Sequence, residues 1–186
     1  QTLKWDWEDA IFLYGLLKLT IGLENRGDLE AADFRDYLRS YQTRWLKEGP
    51  PEINKSDLCP SALIPLWLKR GQNTDGMPLI EKVAQYVSSA PRNELGAINH
   101  LGSNWMGSLF PPSIWVDSLM MYAVFATQWG RDSGNQNLLE FGASQPRIFA
   151  SKLQNAAGLL HHAYLFTTNQ PTLASPPGFR LRGNGW

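Results

Sequence analysis

The stretch Pro111-Pro112-Ser113-Ile114-Trp115-Val116-Asp117-Ser118-Leu119-Met120-Met121-Tyr122-Ala123-Val124-Phe125-Ala126 decides how this chain is read. Two prolines close a loop, Ser113 is placed to cap a helix, and from Trp115 to Ala126 almost every residue is apolar. A helix with no polar face is buried all round. The stretch therefore predicts an internal helix with one carboxylate, Asp117, in or near its first turn. Taking an ionised carboxylate out of water costs several kcal/mol unless it is paired; otherwise its pKa rises and it keeps its proton. Asp117 thus has a dedicated partner or is a proton donor held ready at neutral pH.

Outward from that stretch, the chain reads as helices in pairs. Trp5-Asp6-Trp7-Glu8-Asp9 opens a strongly apolar first helix, its acids suited to a helix N-terminus, which stops around Glu24-Asn25-Arg26-Gly27. A second runs from about Asp28 to Leu46 with one apolar face and ends at Gly49-Pro50-Pro51. Ser56-Asp57-Leu58-Cys59-Pro60 starts a third, apolar through Leu68, and a fourth spans Met77 to Ser89. Residues 95–110, rich in Gly, Ser and Asn, read as a long functional loop. After the central helix comes an amphipathic sixth, from about Asn135 to Leu153, and then an extended segment over 158–166. A mostly apolar helix followed by a more amphipathic one, three times over, suits an α/α toroid with covered inner helices and half-exposed outer ones; an ordinary helical bundle fits the same pattern.

Composition narrows the function. The 186 residues suffice for one domain with a real core, and 17 Lys+Arg balance 17 Asp+Glu. Neutrality offers no electrostatic reason for binding nucleic acid or an anionic membrane. Eight tryptophans supply surfaces that fill cores or stack on the apolar faces of sugar rings. The lone Cys59 allows no intrachain disulfide and is compatible with a reducing compartment. No apolar run approaches the ~20 residues of a membrane span, and no signal peptide is visible. A first residue of Gln rather than Met implies a start that is missing or processed.

Taken together, Trp5-Asp6-Trp7, Ser56-Asp57-Leu58-Cys59-Pro60, Pro91-Arg92, Ile114 to Met121, Gln145-Pro146, Gly158-Leu159-Leu160-His161-His162-Ala163-Tyr164 and Arg182-Gly183-Asn184-Gly185-Trp186 make a familiar series. In that order the chain resembles glycoside hydrolase family 105, the unsaturated rhamnogalacturonyl hydrolases, which are related to the unsaturated glucuronyl hydrolases of family 88. The resemblance implies an all-α fold, an α/α toroid of six helical hairpins. These residues would form its N-terminal half as a single domain, about three hairpins in an incomplete ring. It implies release of Δ4,5-unsaturated uronic acid from the non-reducing end of pectin-derived oligosaccharides, by acid-catalysed hydration of a vinyl ether, with no cofactor and no metal. The alternative is a non-catalytic half-ring that binds carbohydrate or another protein. In either case a missing C-terminal half or a second copy would cover the inner helices.

Vinyl ether hydration needs a protonated carboxyl group, a means of orienting water, a cation for the substrate carboxylate and a stacking surface. By resemblance Asp117 is the general acid and Asp57 the second carboxylate, although Ser56-Asp57 before Pro60 also reads as a helix cap. Arg182 matches the carboxylate-binding position, Trp186 the stacking position, and His162 a histidine near the substrate. Trp7, with Trp5, is a candidate sugar-stacking surface or a packing residue between helices. His100 and His161 read as satisfied loop or core histidines, since the histidine spacing fits no standard zinc pattern.

Overall fold

The computed structural model describes residues 2–71, 73–102, 105–109, 112–167 and 170–171. The chain divides into two compact units, Gln1–Ile53 with Leu58–Gln85, and Asn54–Asp57 with Tyr86–Trp186.

The first unit is built on a helical hairpin. Helix α1 (Trp7–Asn25) starts where the Asp6 carboxylate accepts the Trp7 N–H at 2.7 Å, and Glu8 and Asp9 sit in its first turn. It buries Ala10, Leu13, Leu17, Thr20 and Leu23 but leaves Ile11, Phe12 and Leu19 exposed, so among the described residues this helix is covered on one face rather than all round. Helix α2 (Ala31–Glu48) packs against α1. It begins later than Asp28 because the Asp28 carboxylate accepts the Glu30 N–H at 3.1 Å and holds the intervening residues in a turn. Trp5 is buried, stacked on Tyr41 at 6.2 Å and edge-on to Trp45 at 5.7 Å, so of the two leading tryptophans this one packs the core.

The third predicted helix starts later than Ser56. Ser56–Leu58 and Pro60–Ala62 are single 3-10 turns, and α3 proper is Leu63–Arg70. Pro60 and Pro65 have no N–H to donate, which leaves tight turns and one short helix in place of a continuous long one. Helix α4 (Met77–Ser89) has the predicted bounds.

The second unit corrects the reading of the central stretch. Ser113–Trp115 is a strand, β1, and not the start of a helix. It pairs antiparallel with β2 (Ala163–Leu165), Ser113 opposite Leu165 and Trp115 opposite Ala163, and β2 pairs in turn with β3 (Gln170–Pro171). The ladder continues at both ends: Val116 N–H donates to the His162 carbonyl at 2.8 Å, and Phe166 N–H donates to the Pro112 carbonyl at 3.0 Å. Ser113 therefore caps nothing; its hydroxyl accepts the Trp115 indole N–H at 3.1 Å. The helix begins only at Leu119, with a wide π-type turn over Leu119–Ala123, and continues as α6 (Val124–Ser133). Such wide turns are frequent at functional sites.

Helix α7 (Gln136–Leu153) is capped by Asn135, whose side chain accepts the Leu138 N–H at 3.0 Å, and packs against α6 as a second hairpin. A Cβ added to Gly142 would meet Thr127 N at 2.6 Å, so the two backbones cross closely there. Between α4 and β1, in the region read as a long loop, Arg92 and Ile98 form an antiparallel bridge, and Trp105–Leu109 is a short helix, α5. No helix of the described residues is long and apolar enough to cross a membrane.

One buried hydroxyl ties this loop to the hairpin. The Tyr122 O–H donates to Gln145 Oε1 at 2.9 Å and accepts the Ile98 N–H at 3.3 Å, with Tyr122 and Gln145 fully buried. Tyr122→Phe is expected to cost about 1–3 kcal/mol, since both partners stay buried after losing a bond. A lowered denaturant midpoint with an unchanged slope measures this.

Candidate active site

Asp57, His100, Trp115, Asp117, Ser118 and His162 gather in the second unit. His100, Trp115 and His162 are positioned by backbone pairing with distant segments, and Asp57 and Asp117 by tight local turns. Asp57 lies in the 3-10 turn Ser56–Leu58. His100 follows the Arg92–Ile98 bridge, and its N–H donates to the Ser113 carbonyl at 3.0 Å, fastening it beside β1. Asp117 sits in the turn between β1 and the wide helical turn, where its carbonyl accepts the N–H groups of Met120 at 2.8 Å and Met121 at 3.0 Å. It thus lies next to the first helical turn, just ahead of Leu119. His162 immediately precedes β2.

The two carboxylates meet at one imidazole. His100 Nε2 is 3.7 Å from Asp57 Oδ1, and His100 Nδ1 is 3.5 Å from Asp117 Oδ1 and 2.8 Å from Ser118 Oγ. The His100 side chain is 6% exposed, against 17% for Asp57 and 22% for Asp117, so the acids reach solvent where the imidazole does not. Trp115 stacks flat on His100, with ring centroids 4.3 Å apart, and meets His162 edge-on at 5.0 Å. Lys55 Nζ donates to Asp57 Oδ2 at 3.4 Å.

Burial lowers the His100 pKa to about 4; an ionised Asp117 opposes that shift, while His162 and Lys55 add to it. The ring is therefore neutral at neutral pH, and its approaches to the two aspartates are not ion pairs there. A neutral imidazole has one N–H and one lone pair, so it faces its two carboxylates unequally.

This burial makes stability depend on pH. Between pH 6.5 and about 4 the unfolded chain binds a proton at His100 that the folded chain refuses, so stability falls as pH drops through that window. The contribution at its low-pH limit is on the order of 3 kcal/mol. Urea unfolding of the wild type and His100→Gln at pH 7 and pH 4.5 is expected to show a smaller acid loss in the variant; equal losses would contradict the buried neutral ring.

Of the residues singled out in the sequence, Asp57, Asp117 and His162 come together here. Trp7 lies in the other unit, at the first position of α1, and is 39% exposed. Arg182 and Trp186 lie outside the described residues. His161 is a loop residue whose N–H donates to the Leu153 carbonyl at 2.8 Å, in keeping with its bland reading. His100 escapes a reading by motif because it matches no metal spacing and stands alone in a polar loop. Trp115 and Ser118 read as core in the sequence. A strand over 113–117 would draw Trp115 toward Asp117, since alternate strand residues share a side.

The chain is 25% identical over 185 residues to the unsaturated rhamnogalacturonyl hydrolase YesR of Bacillus subtilis (strain 168), a match that takes in 98% of this chain and 51% of YesR. A crystal structure described as a possible member of the GH105 family, from Salmonella enterica, superposes with a TM-score of 0.74 at 19% identity, over 88% of this chain and 42% of that one. A family 105 glycoside hydrolase from C. acetobutylicum ATCC 824 gives 0.69 at 21% identity, over 91% of this chain and 47% of that one. At such identities the likeness shows the fold, which is the α/α class expected from the helix pairs. The chain spans about half the length of the curated relative it matches. The family model for Glycosyl Hydrolase Family 88 runs over residues 1–186, from before the Asp6 cap to beyond β3, and the chain belongs to that family.

Proposed function

We propose that the protein containing this chain removes Δ4,5-unsaturated uronic acid from the non-reducing end of pectin-derived oligosaccharides by hydrating the vinyl ether double bond. The observation that carries this reading is the pair of partly exposed carboxylates, Asp57 and Asp117, set against opposite nitrogens of one buried, neutral histidine. Asp117 protonates C4 of the double bond. The cation left at C5 is stabilised by the ring oxygen, water adds there, and Asp57 orients that water and takes its proton. The resulting hemiketal opens to a C5 ketone and a C1 hemiacetal, and collapse of the hemiacetal to an aldehyde expels the neighbouring sugar with a free hydroxyl. Solvent then restores the two carboxyl groups. The name of YesR, an unsaturated rhamnogalacturonyl hydrolase, supports the substrate class. His162, Arg182 and Trp186 are proposed to contact the sugar, with Arg182 on its carboxylate by a bidentate pair. The test is incubation of the full-length protein with unsaturated uronyl disaccharides, followed by loss of the double-bond absorbance. An unchanged absorbance against both rhamnogalacturonan-derived and glucuronate-derived substrates would sink the proposal.

A second reading, a non-catalytic half-ring that binds carbohydrate or protein, draws on the exposed Ile11, Phe12 and Leu19 of α1 and on a chain spanning about half its curated relative. We favour the view that those side chains are covered by further chain or by a second copy. Residues 1–186 expressed alone are then expected to show little or no turnover. Full activity of this piece would overturn the need for a covering partner, and sugar binding without turnover by the full-length protein would favour the non-catalytic reading.

A further inference from the structure

His100 is a neutral ring with one proton and, among the described residues, three oxygen-bearing side chains on its edges. Asp57 lies on its Nε2 side, with Lys55 donating to that same carboxylate. Asp117 and Ser118 lie on its Nδ1 side. Trp115 covers one face, and His162 stands edge-on beyond that indole. Of the three, the Ser118 hydroxyl at 2.8 Å is within direct hydrogen-bond length; the carboxylates at 3.5 and 3.7 Å feel the ring as a local dipole.

Two arrangements are open to the proton. With Nδ1–H donating to Ser118, the Nε2 lone pair faces Asp57, and two acceptors oppose each other beside the acid that must be ionised to receive a proton. With the Ser118 O–H donating to Nδ1, the proton rests on Nε2 and points at Asp57. The Nδ1 lone-pair edge then lies toward Asp117, which disfavours a carboxylate there and favours a carboxylic acid. A hydroxyl is both donor and acceptor, so Ser118 is able to take either role; the Lys55 ammonium beside Asp57 favours the ionised form of that acid, and an ionised Asp57 favours an N–H on the Nε2 that faces it.

We infer that Ser118 fixes His100 as the Nε2–H tautomer and thereby assigns the two acids their roles, holding Asp57 as a carboxylate and Asp117 as a carboxylic acid. Ser118 is a positioning residue: it acts through His100 and not on substrate. The position suits this, because Ser118 is fully buried and follows Asp117 directly, so the turn that aims the acid also aims the hydroxyl. The asymmetry serves vinyl ether hydration, which needs one acid and one base of the same chemical type with their protonation pushed apart. In this respect the inference rests on the function proposed above, while the tautomer itself does not.

The experiment is two-bond proton–nitrogen NMR of the full-length protein labelled with 15N-histidine near pH 7, with His100 assigned by comparison with His100→Gln. The wild type is expected to carry its proton on Nε2. Ser118→Ala is expected to shift His100 wholly or partly to Nδ1–H, to lower kcat about tenfold with KM unchanged, and to move the alkaline limb of the kcat profile to lower pH as Asp117 loses its proton more readily. Ser118→Thr keeps a hydroxyl and is expected to restore the wild-type spectrum. An Nδ1–H wild-type ring overturns the inference, and so does a Ser118→Ala protein with unchanged tautomer and profile. If Ser118→Ala fails to fold, the wild-type and Ser118→Thr spectra decide. An Nε2–H ring in a protein that does not act on unsaturated uronides would refute the substrate reading alone; turnover with an Nδ1–H ring would refute this inference alone.

Discussion

Asp117→Asn is expected to cut turnover of unsaturated uronyl disaccharides by about 10²–10⁴-fold, the range spanned by a lost general acid. Asn keeps the shape of the side chain and removes its transferable proton. The turn that holds residue 117 depends on the backbone carbonyl, which accepts from Met120 and Met121 and is untouched by the change. The folded state is therefore expected to survive, with unaltered circular dichroism and a denaturation midpoint close to wild type. Asp57→Asn is expected to lower kcat as well, because the attacking water loses its acceptor. An Asp117→Asn protein that turns over at the full rate would remove the acid from the mechanism, whatever the family membership.

Gly102→Ala is expected to damage the site from a position that carries no side chain of its own. Gly102 has φ of +69°, and a Cβ there would stand 2.1 Å from the Asn54 carbonyl oxygen and 2.9 Å from Lys55 Cα. The left-handed conformation alone costs about 1–2 kcal/mol with a side chain. The overlap is with backbone, so it is relieved only by moving the loop or the 54–57 segment. The loop carries His100 and the segment carries Asp57, so their relation changes. A displacement of about 1 Å in such a constellation costs roughly 10²-fold in rate. Gly134→Ala is the control: its φ is +73° at the end of α6, but nothing lies within 4 Å of the added carbon. It is expected to show the strain in stability and none of the loss in kcat. Equal kinetic loss in both variants would mean that the close approach at Gly102 does not position the site.

Local chemistry makes several features legible in advance. Asp6 followed by Glu8 and Asp9 marks the start of α1, Asn135 marks that of α7, and apolar spacing locates α4. Those signals act within one or two helical turns, so tertiary contacts do not override them. The start of α2 is misread from sequence because Asp28 can cap either a helix or a turn, and its carboxylate holds the turn. The apolar run from Trp115 misleads more seriously. A continuous apolar stretch suits a buried helix and a buried strand alike, and periodicity does not separate them. Asp57, Asp117 and His162 stand out by motif resemblance, whereas His100 has no sequence neighbour that marks it.

From the sequence alone came the helical class, the pairing of apolar with amphipathic helices, and three of the six residues gathered at the candidate site. The class and the pairing follow from residue types and their spacing along a single element, and the three residues from their place in motifs. The tertiary structure decided that Ser113–Trp115 is a strand, because its hydrogen-bonding partners lie in Ala163–Leu165, far along the chain. It also decided that His100, anchored to the Ser113 carbonyl and stacked on Trp115, stands between Asp57 and Asp117. A residue whose role comes from partners brought from separate segments has no local signature, since the fields and hydrogen bonds that define it exist only after those segments have packed.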